Sequence, residues 1–531
     1  MALLGEISEV TWVTSAIIIL TSLGLICSLF RTSDPYNRFP RVGLPWYLSF
    51  LPSKPVHKLV EDGYNELKGP FVVRWWALDW LVLGPEYLAD LRHCESASLS
   101  FFQVISKALR LEHSVGNLYH NDRMTYVIKK GMNSQLPALT PIVIDEIENA
   151  FASHIGRPQG TASLNGQCHG ASKADLRHLE WQEVPVADAV ADLTNQVACR
   201  VLICRELSRN AQFLKRTMTF QHSIFMHAVI IISLPFGPFR RLFSPIISLS
   251  HRWNMRKAMA ILQPVVARRI RNRTRNQSLS EEENDGIAWT LDQTSEDEMD
   301  PKLASLEILH NLFAGSLAPG AMITEMVFQV LMDPKLLADL RDEAMLALEE
   351  HGWTEKLLRN LALQDSFIRE LNRLYPTGAT GCSRLVVDKN FTFSNGLTVR
   401  QGTRLTFPIM AIMKENERLA NPGEFDAYRF LKLRDVPHSD DGGTEYQWVA
   451  SSISPANLMF GYGKHACPGR YYCIRQAKLI FTKLLVDYDI EWTEPGMRRP
   501  QRETIEGQFG PNRAQRMRLR WRGVAKQDAI A

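Results

Sequence analysis

The stretch Phe460–Arg470, FGYGKHACPGR, decides how this chain is read. Glycines at 461, 463 and 469 allow tight turns and close backbone approach around one thiol, Cys467. A loop of this kind points several amide N–H groups at a sulfur. Such bonds, with a following helix N-terminus, favour thiolate over thiol. The next residues, YYCIRQAKLIFTKLLVDY, are strongly helical, and Pro468 stands near their start, where proline is tolerated. Cys467 is therefore expected at the entrance of a helix as an anionic sulfur. A sulfur held so suits a soft metal or an electrophile. With no other ligand nearby to suggest zinc, one axial thiolate on a haem iron satisfies the pattern.

These residues resemble a known family. Phe460–Gly469 fits the FxxGx[RH]xCxG signature of cytochrome P450 enzymes at every specified position, through Phe460, Gly463, His465, Cys467 and Gly469. The resemblance implies haem b with Cys467 as the metal ligand, a thiolate that pushes electron density toward iron and favours O–O cleavage. Glu370 and Arg373, in FIRELNRLYP, are spaced i,i+3 and share a helical face. They resemble the family's buried Glu-Arg pair. Arg429, in FDAYRF, resembles its third member, although the usual proline-glutamate before it is absent. These three would be structural. His465 and Arg384 (in CSRLVVD) occupy positions that in the family commonly bind haem propionates, where charge-assisted bonds are expected. A WxxxR helix usually adds a contact. This chain has YHNDRMTYVIKKGMNSQL there, so Lys129 or His120 is the substitute.

The distal side departs from the family's pattern. The segment LEILHNLFAGSLAPGAMITEMVFQVLMDP has the length and place of the long helix that crosses the haem. The usual motif there is [AG]Gx[DEH]T[TS], whose acid and threonine relay protons. Here Ala314 and Gly315 fit, but Leu317 replaces the acid, Ala318 the threonine and Pro319 the next hydroxyl residue. Pro319 is expected to kink the helix. Ser316 should face elsewhere, and Thr324 lies nearly two turns beyond. General-acid help at this position must come from a substrate hydroxyl or an ordered water, unless the chemistry is not ordinary monooxygenation.

The rest of the chain sets the context. It has 531 residues, 45% hydrophobic and 22% charged, with net charge +4, so nothing in the balance calls for nucleic acid. Eight scattered cysteines without a CxxC pair suit a reduced, cytosolic body. Residues 10–30, VTWVTSAIIILTSLGLICSLF, carry no charge over one bilayer's length, roughly 30 Å of helix. Acidic residues precede them and arginines follow. No small-residue cleavage site closes the run, so an uncleaved anchor is favoured over a signal peptide. The positive-inside rule puts residues 1–9 in the lumen of the endoplasmic reticulum. Prolines 35, 40 and 45 make 31–50 a stiff hinge that holds the body off the membrane. The remainder, 51–525, is expected to be one mainly α domain with minor β of the P450 fold. Within it, 156–174 reads as a loop or insertion. Residues 228–249 read as either a buried helix pair or a rim that dips into the membrane.

The wording of the cysteine loop looks most like the fungal branch containing ent-kaurene oxidase and secondary-metabolite monooxygenases. That resemblance implies a terpenoid, meroterpenoid or similar hydrophobic small-molecule substrate. It also implies NADPH-cytochrome P450 reductase as partner, since no nucleotide-binding glycine motif is present. A monomer is expected. Lys464, Arg470, Arg475 and Lys478 crowd the cysteine side and would face an acidic partner. Two rivals stay open: a reductase-independent haem-thiolate isomerase, lyase or dehydratase, and a non-catalytic membrane haem binder.

Overall fold

The computed structural model describes residues 34–44, 53–95, 97–113, 118, 123–156, 180–234, 240–275, 283–295, 299–415, 419–434 and 448–523. The stretch 10–30 expected to be an anchor, the expected insertion beyond Gly156, and His120 lie outside them.

One helix organises the molecule. Its start is written in the sequence: the Asp300 side chain accepts from the amides of Lys302 and Leu303, and Pro301 fills the first turn. It runs from Pro301 to Val330, and most of its side chains beyond the first turn are buried. Pro319 breaks no helical assignment, so the kink expected there does not interrupt the element. Close packing against Val186–Leu202 accompanies this continuity. A Cβ on Gly315 would stand 2.5 Å from Leu202 Cδ1, and one on Gly320 2.8 Å from Thr194 Oγ1. Small residues therefore set how near the two helices lie. The helices Ala211–Ser233, Arg240–Thr274, Ala362–Leu374 and Arg470–Asp487 also pack on it.

The β structure is minor and lies mainly in one six-stranded sheet. Its order is Arg41–Val42, Phe71–Trp75, Leu78–Val82, Arg404–Phe407, Gly381–Val386, Leu99–Ser100. FVVRW and LDWLV form a hairpin around Trp76 and Ala77, both with positive φ. Two non-glycine residues in the left-handed region cost on the order of 1–2 kcal/mol each. The Glu506 carboxylate accepts from the Trp76 amide at 2.8 Å and helps hold the turn.

The hinge is more than a spacer. Its described part is non-helical, as expected, but Arg41–Val42 pairs in parallel with Val72 and Val73. Tyr36 is buried, its hydroxyl accepts from the Arg404 amide at 2.8 Å, and Arg41 bridges Asp34 and Asp79. Aromatic burial and ion pairing thus sew the connector to the sheet. The region 228–249 splits between the ends of the two roof helices, Ala211–Ser233 and Arg240–Thr274. Ala228, Ile231 and Ile232 are buried, whereas Ile230, Leu242, Phe243, Ile246 and Leu249 are exposed, so the described residues are neither wholly core nor wholly rim.

Candidate functional site

The cysteine loop closes on itself. The Cys467 amide donates to the Phe460 carbonyl at 2.7 Å, and the Ala466 amide to the Gly463 carbonyl at 3.0 Å. Gly463 has φ +70°, and a Cβ there would stand 2.4 Å from the Leu91 carbonyl oxygen, so only glycine fits. A single 3-10 turn, Gly463–His465, precedes the cysteine, and the helix Arg470–Asp487 begins three residues after it. The Cys467 residue is exposed, while Phe460 and Ala466 beside it are buried. Protein packed around the sulfur pushes its thiol up from the ordinary value. The amides of Gly469 and Arg470 and the Arg470 charge pull the other way but act as the smaller influence. Metal coordination would deprotonate the thiol outright.

Behind the loop, Glu370 sits at the centre of a buried network. Arg373 donates from Nε at 2.8 Å and from Nη2 at 2.9 Å to its carboxylate, and Arg429 Nε donates at 3.0 Å. Both guanidiniums spend their remaining donors on carbonyls, including Pro422 at 2.6 Å and Glu424 at 2.8 Å. The three residues expected to be structural do meet, and the third joins without the proline-glutamate that usually precedes it.

A cationic group flanks the loop. Arg384 is fully buried, and its Nη1 and Nη2 donate to the Ser383 and Tyr462 carbonyls at 2.8 and 3.1 Å. Its Nε has no partner, and no carboxylate pairs with it among the described residues. Burial pushes its pKa down. Burial, then the charges of Arg384 and Lys129, push His465 down to about 4, so at neutral pH it is an uncharged donor. On the crossing helix, Ala314 and Ala318 are the exposed positions in its middle. Their i,i+4 spacing makes one small, apolar face. Ser316 is buried on another face, and Thr324 donates back to Gly320, so neither hydroxyl reaches that face. Gly315, grouped with the two alanines on sequence grounds, instead meets Leu202 between the helices.

Residues 174–514 match the family profile described as Cytochrome P450. The cytochrome P450 monooxygenase sirB of Leptosphaeria maculans is 33% identical over 86% of this chain and 84% of its own. The chain belongs to the cytochrome P450 family. Ent-kaurene oxidase of Gibberella intermedia is 24% identical over 88% of this chain and 83% of its own. The monooxygenase prhD of Penicillium brasilianum is 29% identical over 82% and 79%. A retinoic-acid-bound cyanobacterial CYP120A1 shares the fold, with TM-score 0.64 over 91% of this chain and 99% of that one, at 17% identity. The protein is thus an oxidoreductase of the P450 monooxygenase kind, with a helix-dominated P450 fold and some strands. The family's cofactor is haem held by a cysteine thiolate. The residues present fit that group. An exposed cysteine stands on one loop, and the buried, acid-free guanidinium of Arg384 and the Lys129 charge both act on His465 of that loop. A small apolar face lies on the crossing helix.

Other groups were not foreseen. Arg123 grips Glu307 on the crossing helix with three bonds of 2.7–3.1 Å, both residues nearly buried. Lys478, expected to face a partner, is buried, bonding the Leu358 carbonyl at 3.0 Å and Asp365 at 3.2 Å. Arg475 is paired with Glu355. Of the four bases, Lys464 alone is exposed, and it pairs with Glu95.

Three buried histidines tie the roof helices to the crossing helix. His227 and His251 stack at 4.8 Å and 10°, Phe220 stacks on His251 at 5.5 Å, and His310 meets Phe220 edge-on at 6.0 Å. Burial pushes all three down, His251 to about 3 and His310 to about 4. The unfolded chain takes protons below its ordinary value of 6.5 that the folded chain refuses, so this contribution is present above that pH and lost as pH falls below it. At about pH 5, His251 and His310 each remove roughly 2 kcal/mol. Thermal unfolding should show a steep fall in Tm between about pH 6.5 and pH 4 that His251→Phe makes shallower.

Proposed function

We propose that the protein is a haem-thiolate monooxygenase of fungal secondary metabolism, oxidising a hydrophobic intermediate such as a terpenoid or meroterpenoid, with Cys467 as the axial ligand. One observation carries this: Cys467 stands exposed on a glycine-shaped loop whose Tyr462 carbonyl is held by Arg384, a fully buried cation with no acid partner among the described residues. Haem bound there supplies dioxygen activation and oxygen insertion, with electrons from NADPH through NADPH-cytochrome P450 reductase. Arg384, His465 and Lys129 would hold the cofactor's carboxylates by charge-assisted bonds. The Glu370 network fixes the loop behind the sulfur. Ala314 and Ala318 leave room for a bulky substrate and place no proton donor beside it. The proton at that face then comes from a substrate hydroxyl or a held water.

Exposed Phe225, Met226, Ile230, Leu242, Ile246 and Trp253 on the roof helices favour a lipid-facing entrance. With the uncharged stretch at 10–30, they support a single-pass protein of the endoplasmic reticulum membrane with a cytosolic catalytic domain. The similarity to ent-kaurene oxidase supports a terpenoid-like substrate. The test feeds candidate intermediates to microsomes holding the protein and a reductase, under labelled dioxygen. Label should enter one product in an NADPH-dependent manner. A second reading, a reductase-independent isomerase, lyase or dehydratase, is favoured by the hydroxyl-free face at Ala314 and Ala318. Turnover that persists without NADPH and reductase, and leaves the product unlabelled, selects it instead.

A further inference from the structure

The segment facing the cysteine loop changes its winding. Arg123–Tyr126 is α-helical, Val127–Met132 is a π turn, and Asn133–Gln135 is a 3-10 turn that leads into the helix Leu136–Phe151. Such π turns recur where a side chain is re-aimed for function. A Cβ on Gly131 would stand 2.5 Å from Trp289 Cβ, so this turn is pressed against that indole. Lys129 and Asn133, four residues apart, both act on the loop. The Lys129 charge reaches His465, and Asn133 Nδ2 donates to the Pro468 carbonyl at 3.0 Å. Because its partner is a carbonyl, the Asn133 amide must present its NH2 group there. Its Oδ1 is buried with no partner among the described residues, so this one bond is the side chain's whole polar anchorage.

The Pro468 carbonyl belongs to the same peptide unit as the Gly469 amide. Gly469 lies against the Cys467 sulfur: a Cβ there would stand 3.9 Å from it. A hydrogen bond accepted at a peptide carbonyl polarises the unit and strengthens donation from its N–H. We propose that Asn133 is a positioning residue that tunes the sulfur: through the 468–469 peptide it fixes and strengthens one N–H bond to the thiolate. Bonds to a ligating sulfur withdraw charge from it and raise the metal's reduction potential. This rests on Cys467 being the axial ligand of the haem.

The test uses full-chain holoenzyme and three variants. Asn133→Asp is close in size but cannot donate, Asn133→Leu is close in size and neutral, and Lys130→Ala changes an exposed neighbour on the same turn. The iron reduction potential is measured by spectroelectrochemistry, and carbon monoxide binding to the reduced protein reports the thiolate. Both Asn133 variants should keep the thiolate-type band. Their reduction equilibrium should shift several-fold toward the oxidised form, at most about tenfold, or ~59 mV for one electron. Lys130→Ala should match the wild type. Potentials equal to the control in variants that keep the band overturn the inference. Loss of haem from both Asn133 variants also overturns it, by assigning Asn133 to holding the loop. A wild type without the thiolate band refutes the ligand assignment itself, a separate outcome.

Discussion

Glu370→Ala should yield no stable haem-loaded protein. The carboxylate is fully buried and takes three guanidinium bonds from Arg373 and Arg429, themselves nearly buried, plus the Asp426 amide at 3.1 Å. Removing it leaves two cations buried without their counter-charge. Breaking a buried pair in this way costs about 3–5 kcal/mol, a large share of the roughly 5–15 kcal/mol that keeps a domain folded. Glu370→Gln retains the shape but turns a donor toward the guanidiniums, so it should be rescued only in part. Haem content of the purified protein and its Tm check both. A Glu370→Ala protein with normal Tm would mean that carbonyls such as Pro422 and Glu424 satisfy the arginines alone.

Arg384→Met should fold but hold haem poorly. The substitution keeps most of the volume and removes a buried cation that no acid among the described residues neutralises. Two carbonyls, Ser383 and Tyr462, lose a donor, at about 1–3 kcal/mol for each that stays unsatisfied. Loss of the charge-assisted bonds to the cofactor should speed haem release by roughly 10–100-fold, the usual effect of removing such a supporting partner. Arg384→Lys retains the charge but not the planar fork, and should fall between the two. Haem transfer to a scavenging apoprotein gives the rate. A variant that loses Tm but releases haem at the wild-type rate would make Arg384 a strap between strand and loop only.

What was legible in the sequence was what is local. The glycine pattern around Cys467 and the i,i+3 spacing of Glu370 and Arg373 each depend on residues a few positions apart. Their geometry follows from backbone rules. Apart from Arg429 meeting Glu370, which the family resemblance implied, contacts between distant segments were not legible. Asn133 meets Pro468, and Arg123 meets Glu307, only because the helices bring them together, and neither pair leaves a spacing to read. Lys478 illustrates the opposite error. A base near the cysteine suggests a solvent face, but helix Arg470–Asp487 buries that side against Asp365. The stiff connector around Pro35 and Pro40 also does more than its prolines suggest, because Tyr36 and Arg41 dock it on the sheet.

The thiolate assignment is tested most directly by the carbon monoxide difference spectrum of the reduced full chain and of Cys467→Ala. The wild type should give the thiolate-type band from which the family takes its name, and Cys467→Ala, still folded by circular dichroism, should lose it. A wild type that binds haem without that band, or a Cys467→Ala protein that keeps it, would contradict the account.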